Sequence, residues 1–363
     1  MKAINVAGWL IIASIFVIVL VEAKSLLVPF VIAIVIWYLI NALKNLYLRI
    51  SISGRRMPEW FCLTASTLTI LGGFLLVMEL IVSTINAMTK AAPEYKMNLD
   101  KMTGPLLQSL GFESVPDFST IANEIDLTNT VAIALNSVSG IASSAVLIMV
   151  YVGFLLAEQH LLQRKLAAIF SEPSRLDYVN NILEHINQSV RTYISVKTTT
   201  SFLTGILSFI VLLIVGVDFA IFWAFLIFLL NYIPTVGSLV ATIFPAMLAF
   251  VQFGTFGPGI AVLLGVTAVQ FVIGNIIEPK MMGSSLNISP LVVILSLVLW
   301  GMIWGVAGMV LCVPIMVIAI IVLAEFPATR FIAILLSGNG KIIGNAPMPT
   351  NSPSAPDQIA IEE

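Results

Sequence analysis

The stretch FAIFWAFLIFLLNYIPTVGSLVATIFPAMLAFVQF, residues 219–253, decides how this chain folds. Its 35 residues carry no charged side chain, and Asn231, Pro234 and Gly237 interrupt it near the middle. One helix of that length would be about 50 Å long, whereas the hydrocarbon core of a bilayer is about 30 Å thick. Two full spans and a turn would need slightly more residues. We therefore predict two short helices that meet at a polar break, either as a re-entrant hairpin or as two short, tilted spans.

The whole chain has the composition of a membrane protein. Of its 363 residues 59% are hydrophobic and 10% are charged, and the mean hydropathy is +1.05. Soluble domains carry about 25% charged residues, and apolar runs of about 18 residues or more are typical of membrane-spanning helices. The sequence predicts an all-α, polytopic integral membrane protein. Its eight hydrophobic segments are 4–21, 26–43, 61–85, 141–158, 202–216, 219–253, 259–277 and 289–324.

The last of these segments, 289–324, is also interrupted. Gly301, Gly305 and Gly308 divide it and Pro314 follows, so we predict that these four residues are hinges. Non-helical backbone at membrane depth is tolerated only where protein or a watery cavity satisfies its polar groups. Two segments broken by glycine and proline in one chain indicate a transport site.

Charge counts predict how the chain crosses the membrane. Residues 44–60 carry a net charge of +3, and 159–200 carry five basic residues against three acids. Residues 86–140 carry three lysines and six acids. Basic loops stay in the cytoplasm, so we predict that 86–140 lies outside and that both termini are cytoplasmic.

These boundaries divide the chain into six parts. A seam of apolar residues at three-four spacing over 176–193 predicts an amphipathic helix in the cytoplasmic segment. The parts are three transmembrane helices (1–85), an extracytoplasmic polar helical segment (86–140), a fourth transmembrane helix (141–158), a cytoplasmic amphipathic segment (159–200), a motif-rich transport half (201–336) and a disordered tail (337–363).

Charge is almost excluded from residues 198–324, where only Asp218, Glu278 and Lys280 are charged. Two of these flank Pro279 in GNIIEPKMMG, residues 274–283. Because a proline disfavours helix at the residue before it, this tripeptide is compatible with an ordinary helix stop at the bilayer surface. A carboxylate beside a broken helix can also bind a cation or a proton and couple it to movement.

The candidate substrate or ion pathway combines these charges with the polar and helix-breaking residues around them. Asn231, Gln270 and Asn275 have a structural alternative, since amides in membrane helices often bond a neighbouring helix. The pathway candidates are Asp218, Asn231, Pro234, Gly237, Gln270, Asn275, Glu278, Pro279, Lys280 and Gly283.

Several classes of function lack their motifs. The sequence has no GxxxxGK[ST] phosphate loop and no GxSxG, and His160 and His185 do not form an HExxH pair. No basic cluster suggests nucleic acid. We therefore expect no enzymatic activity, no cofactor or metal, and no nucleic-acid partner.

Four ordered motifs resemble one family. NYIPTVGS (231–238), NIIEPKMMG (275–283), LNISPLVVILSLVLWG (286–301) and WGVAGMVLCVPI (304–315) together resemble the autoinducer-2 exporter family of bacterial and archaeal membrane proteins. The resemblance extends to about residue 336. It implies a transporter of the bacterial inner membrane that forms a homo-oligomer such as a pentamer.

The resemblance leaves the substrate open. For some members it implies export of the small quorum-sensing signal autoinducer-2, and for others export of sodium or lithium in exchange for protons. The first reading gives this chain a small polar solute as its partner, with Glu278 as the binding or coupling carboxylate. The second gives it a monovalent cation, with Glu278 or Asp218 carrying the proton. A non-transporting oligomeric scaffold, assembled through the seam at 176–193, is a third reading.

Overall fold

The structure is a computed structural model, and it describes residues 3–52, 55–109, 144–159, 161–170, 172–283 and 287–340. Almost all of them are helical, which confirms the predicted all-α membrane fold, and β1 (Ser51–Ile52) and β2 (Arg55–Arg56) form a short antiparallel pair. A π-helical turn, Ile273–Ile277, joins α9 to α10. The helices are α1 (Ala3–Glu22), α2 (Lys24–Arg49), α3 (Glu59–Ser109), α4 (Ser144–Glu158), α5 (Leu162–Ile169), α6 (Pro173–Val215), α7 (Ala220–Leu230), α8 (Val236–Phe253), α9 (Phe256–Val272), α10 (Glu278–Met282), α11 (Pro290–Glu325) and α12 (Arg330–Leu336).

Each of the eight predicted hydrophobic segments overlaps a described helix. Six of the described helices are long and apolar enough to cross a membrane. Two helices run across predicted segment bounds. α3 continues past residue 85 into the predicted polar helical segment as far as Ser109, and residues 110–140 lie outside the described part of the chain. α6 joins the cytoplasmic segment, from Pro173 onward, to the fifth span in one helix of 43 residues.

The first interrupted run is a helical hairpin. α7 has 11 residues and is therefore about 16 Å long, too short to cross a bilayer. The Gln252 side chain accepts a hydrogen bond from the Asp218 backbone N–H at 2.8 Å and donates one to the Gly216 carbonyl at 2.9 Å. The run therefore starts and finishes at the same end of the bundle. We call residues 219–253 the first hairpin.

The second interrupted run is also a hairpin. Gly305 breaks α11, because its φ of +62° and ψ of −141° are not helical and are readily adopted only by glycine. In a straight helix residues 300 and 308 would be about 12 Å apart, but a Cβ on Gly308 would lie 1.9 Å from the Trp300 carbonyl oxygen. The chain therefore reverses at Gly305, whereas the returning arm stays helical through Pro314. We call residues 290–325 the second hairpin.

The two hairpins enter the bundle from opposite ends. Residues 256–282 separate the base of the first from the base of the second, a helical distance of roughly 40 Å. The inner part of the first hairpin reaches the second, because Ile233 packs in one buried cluster with Leu297 and Val313. The tip of the second hairpin meets α1, where Trp304 Nε1 donates to the Leu20 carbonyl at 3.0 Å.

The first residues of the predicted tail, 337–340, lie within the described part of the chain. Ser337 pairs with Ile288 in an isolated β-bridge, and the Gly338 N–H donates to the Asn287 carbonyl at 3.0 Å. These bonds hold the chain after α12 against the base of the second hairpin. Residues 341–363 lie outside the described residues.

Gly237 gives a test of the first hairpin. A Cβ there would lie 1.8 Å from the Leu230 carbonyl oxygen, so Gly237→Ala must push the two arms apart. Overpacking of this kind costs about 1–3 kcal/mol. We expect Gly237→Ala to lower the melting temperature of the purified protein in detergent by several degrees.

Gly257→Ala is the matched control, since a Cβ at Gly257 meets nothing within 4 Å. It should leave the melting temperature unchanged or raise it slightly. Equal melting temperatures for the two variants would contradict the close approach of the hairpin arms.

Candidate functional site

The tip of the first hairpin is a strained turn. The Val236 N–H donates to the Pro234 carbonyl at 2.6 Å, which makes a γ-turn centred on Thr235. Thr235 has φ +59° and ψ −57°, a conformation that β-branched residues rarely adopt. Strain of this type persists only where the surroundings impose it, and it is concentrated at functional sites.

The helix does not stop at Pro279, the structural alternative considered for this tripeptide. Glu278 has helical dihedral angles, and the helix continues to Met282 and ends at Gly283, where φ is +56°. The Glu278 N–H donates to the Ile273 carbonyl five residues back, the bonding pattern of a π-helix. This wider turn lets the chain accommodate Pro279, because local π adjustments satisfy the backbone groups that a proline disrupts.

Glu278 pairs with Lys197 of α6, not with its neighbour Lys280. Lys197 Nζ donates to Glu278 Oε1 at 2.7 Å, and Thr200 Oγ1 lies 3.4 Å from Oε2. The Lys197 side chain is 8% exposed and that of Glu278 is 16% exposed, so the pair is largely shielded. Lys280 is exposed. The site therefore contains one mutually neutralised pair of charges.

Hydroxyl groups of α6 hold the turn of the first hairpin in place. Asn231 Nδ2 donates to Ser201 Oγ at 3.0 Å, and Tyr232 Oη donates to Thr198 Oγ1 at 2.8 Å. Both contacts lie within one helical turn of Lys197. The hairpin tip and the ion pair are thus fixed to the same stretch of α6.

Gln270 of α9 binds the start of α8. Its Nε2 donates to the Ser238 carbonyl at 3.0 Å and to Thr242 Oγ1 at 2.8 Å. Asn275 bonds within its own helix, since its Nδ2 donates to the Phe271 carbonyl at 3.1 Å. Both amides therefore make bonds to helices, as the structural alternative expects. Both also line a cavity, so they are not confined to that role.

A cavity of about 760 Å³ lies between the hairpin turn, α6 and the end of α9. Its volume is within the range of about 300–1,000 Å³ typical of small-molecule sites. The ion pair is its charged element, and the rest of its lining is apolar or carries hydroxyls and amides. Five pathway candidates line it: Asn231, Pro234, Gln270, Asn275 and Glu278.

The other pathway candidates lie elsewhere. Asp218 is at the base of the first hairpin, where its Oδ2 accepts a hydrogen bond from Tyr95 Oη of α3 at 2.7 Å. Asn98 Nδ2 donates to the Gln252 carbonyl at 2.7 Å beside it. α7 separates Asp218 from Asn231, so Asp218 and Glu278 do not form one site. Gly237 packs against Leu230, and Pro279, Lys280 and Gly283 are exposed.

The hinge candidates also differ in position. Gly305 is the point of reversal, and Gly301 and Gly308 lie on either side of it. A Cβ on Gly301 would lie 2.9 Å from Met309 Cε, so its small size serves the close packing of the two arms. Their roles as hinges stay predictions.

Comparison with known proteins identifies the family. The model for the AI-2E family transporter matches residues 10–328. The chain belongs to this family. In this family member, residues of the NYIPTVGS and NIIEPKMMG motifs line the same cavity.

The relatives are named as transport proteins. The chain is 36% identical over 322 residues to a candidate transport protein of Haemophilus influenzae, covering 86% of this chain and 90% of the relative. It is 32% identical over 325 residues to the AI-2 transport protein TqsA of Escherichia coli K12, covering 88% and 91%. It is 28% identical over 299 residues to YhhT of the same organism, a candidate transport protein, covering 81% and 82%.

Sequence reasoning missed the α6 side of the site. Lys197 lies one residue before the stretch in which charge is scarce, so the charge counts place it in the cytoplasmic segment. The signal was the run KTTTS, residues 197–201, in which a lysine and four consecutive hydroxyl side chains lead into an apolar helix. Thr198, Thr200 and Ser201 of this run all contact the hairpin tip or Glu278.

Measurements of protein stability can test the Lys197–Glu278 ion pair. Lys197→Met leaves the Glu278 carboxylate shielded and unpaired, which should lower the free energy of unfolding by roughly 3 kcal/mol, the low end of the range for buried pairs. The double variant Lys197→Met/Glu278→Gln leaves no unpaired charge and should recover most of that loss. Thermal unfolding in detergent measures both.

Lys165→Met is the control. Lys165 pairs with Glu158, and both side chains are more than half exposed, so its loss should cost less than about 1 kcal/mol. A double variant that is no more stable than Lys197→Met would contradict the pairing.

Proposed function

We propose that this AI-2E family transporter exports a small, uncharged, polar solute such as autoinducer-2 through the cavity beside the Lys197–Glu278 pair. The observation that carries the proposal is the balance of charge in the cavity. Lys197 neutralises Glu278 at 2.7 Å, and hydroxyls and amides supply the other polar contacts. An uncharged solute needs no counter-charge, whereas a charged one would have to separate a shielded ion pair.

The position of the cavity supports transport. In secondary transporters the solute site lies between discontinuous helices, which supply polar groups at membrane depth. Here the turn of the first hairpin and the π-helical turn before Glu278 supply such breaks. The second hairpin enters from the opposite end and packs against Ile233 of the turn, so each hairpin is placed to close one side of the pathway.

The proposal assigns sides to the two ends of the bundle. The basic segments 44–60 and 159–200 put the end with Glu278 towards the cytoplasm and the end with Asp218 outside. Both termini are then cytoplasmic in a bacterial inner membrane. We also propose a homo-oligomer such as a pentamer, in which part of the exposed apolar surface faces other copies.

Efflux from proteoliposomes tests the proposal. Vesicles that contain the protein and labelled autoinducer-2 should release autoinducer-2 faster than loaded vesicles without the protein. In the double variant Lys197→Met/Glu278→Gln, efflux should fall roughly tenfold, because hydrogen bonds to charged groups contribute about 1.5–3 kcal/mol. The double variant is chosen because it removes the pair without leaving an unpaired charge.

Glu172→Gln is the control for efflux, since Glu172 is exposed and pairs with Arg175 far from the cavity. It should release autoinducer-2 at the wild-type rate. Wild-type efflux by a folded double variant would remove the ion pair from the proposed mechanism. If neither the wild type nor the variants release autoinducer-2, a non-transporting scaffold would be the better explanation.

Sodium or lithium exchange for protons is the second candidate. Glu278 favours it, because a carboxylate at a cavity is the type of group that exchanges a cation for a proton. Sodium would first have to displace the Lys197 ammonium from Oε1. A pH-sensitive dye inside the vesicles separates the candidates: we expect no proton movement on addition of sodium or lithium, and a cation-evoked signal would favour antiport.

A further inference from the structure

Asp218 is a rare charge that the cavity does not use. It is one of three charged residues in the stretch 198–324, yet it does not line the cavity. Its side chain is exposed at the base of the first hairpin, where Oδ2 accepts a hydrogen bond from Tyr95 Oη of α3 at 2.7 Å. A charge in a stretch that nearly excludes charge therefore needs another explanation.

One face of α3 runs along the first hairpin. Met88 packs against the buried cluster that includes Ala249 of the hairpin. Tyr95 lies seven residues after Met88, and Asn98 lies three residues after Tyr95, spacings that keep the three side chains on one side of a helix. Asn98 Nδ2 donates to the Gln252 carbonyl at 2.7 Å.

We call residues 86–99 the outer arm of α3. Its two hydrogen bonds reach both ends of the first hairpin, because Tyr95 binds Asp218 just before the hairpin and Asn98 binds Gln252 near its last residue. Gln252 also connects the two ends, since its Oε1 accepts a hydrogen bond from the Asp218 N–H at 2.8 Å. The outer arm therefore fastens the base of the hairpin as a single unit.

These contacts are of a kind that can open. Asp218 is exposed, and Tyr95 and Gln252 are half-buried, so water can replace their hydrogen bonds and the net contribution of each bond is small. Two glycines flank the hairpin, Gly216 with φ +82° and Gly254 with φ +61°, and each ends a helix. Residues at the ends of helices are where hinge motions absorb changes in φ and ψ.

The other end of α3 is firmly attached. α3 is one helix from Glu59 to Ser109, and at its start Glu59 accepts a hydrogen bond from Lys44 Nζ of α2 at 2.9 Å. Apolar packing also joins the two helices, since Ile40 of α2 lies in a buried cluster against which Leu63 of α3 packs. α2 and α3 are thus held together, and the outer arm is the part of this pair that reaches the base of the hairpin.

We propose that the outer arm of α3 is a clamp that holds the first hairpin closed, and that its bonds to Asp218 and Gln252 release when solute leaves at this end. This inference rests on the proposed function, which places the Asp218 end outside. A carboxylate accepts a stronger hydrogen bond than a neutral group does, and at an exposed site water can also solvate it. Asp218 is therefore suited both to hold Tyr95 and to release it.

A reversible disulfide tests whether the clamp must open. A Cβ on Gly254 would lie 3.4 Å from Asn98 Cβ, close to the separation of about 3.5–4.5 Å found in disulfides. Asn98→Cys/Gly254→Cys should crosslink on mild oxidation in proteoliposomes, and the native Cys62 and Cys312 are buried and should not compete. Oxidation should slow autoinducer-2 efflux at least tenfold, and a reductant should restore it.

The reduced form of the same variant is the matched control, because it carries the same two substitutions. Oxidised wild type should release autoinducer-2 at its unoxidised rate. Equal efflux before and after complete crosslinking would overturn the clamp, and so would failure of the two cysteines to crosslink.

Tyr95→Phe tests the clamp without cysteines. It removes the bond to Asp218, so the Asp218 amide should exchange with deuterium roughly tenfold faster in nanodiscs, the effect of one lost hydrogen bond to a charged group. Efflux should be at least as fast as in the wild type, because fewer bonds have to be released. Slower efflux, or an unchanged rate of exchange, would make Tyr95 a fixed support and overturn the proposal.

Tyr47→Phe is the matched control for Tyr95→Phe. The Tyr47 hydroxyl makes an exposed hydrogen bond to Thr69 Oγ1 of α3 at 3.0 Å, towards the other end of the helix. Its removal should change neither the exchange of the Asp218 amide nor the rate of efflux.

These measurements separate the clamp from the proposed function. If wild-type vesicles release no autoinducer-2, export fails, and deuterium exchange at Asp218 in Tyr95→Phe still decides whether the outer arm holds the hairpin. If the wild type and the crosslinked protein release autoinducer-2 equally fast, export stands and the clamp fails.

Discussion

The constraint on which the structure depends is that backbone polar groups at membrane depth must find partners within the protein. Among the described residues, three helix breaks lie inside the bundle: the turn at residues 231–235, the π-helical turn at Ile273–Ile277 and the reversal at Gly305. The first is closed by the bond from the Val236 N–H to the Pro234 carbonyl and tied to α6 through Asn231, and the second keeps an i to i−5 bond. The third reverses the chain at a glycine.

The cavity is a consequence of how these breaks are paired. α6 carries a lysine and a run of hydroxyl groups, and it supplies partners both to the hairpin turn and to Glu278. The hairpin turn and Glu278 are therefore both attached to α6, and the cavity lies between them.

The sequence predicted the features that depend on local pattern. The length of the run 219–253 excluded one span, and the amides and the carboxylate at positions 231, 270 and 278 do line one cavity. Features that depend on distant pairs were not predictable. Lys197 and Glu278 are 81 residues apart, and propensity alone left open a helix stop at Pro279, where the π-helical turn lets the helix continue. Asp218 carried the same signal as Glu278, a rare charge, but α7 places it at the other end of the hairpin.

The central claim is that the solute occupies the cavity between Tyr193, Asn231 and Gln270. A cryo-electron microscopy structure of the full chain in lipid nanodiscs with saturating autoinducer-2 tests it most directly. The account predicts solute density in this cavity, beside the Lys197–Glu278 pair. Density only at the Asp218 end of the first hairpin, or an empty cavity at saturation, would contradict it.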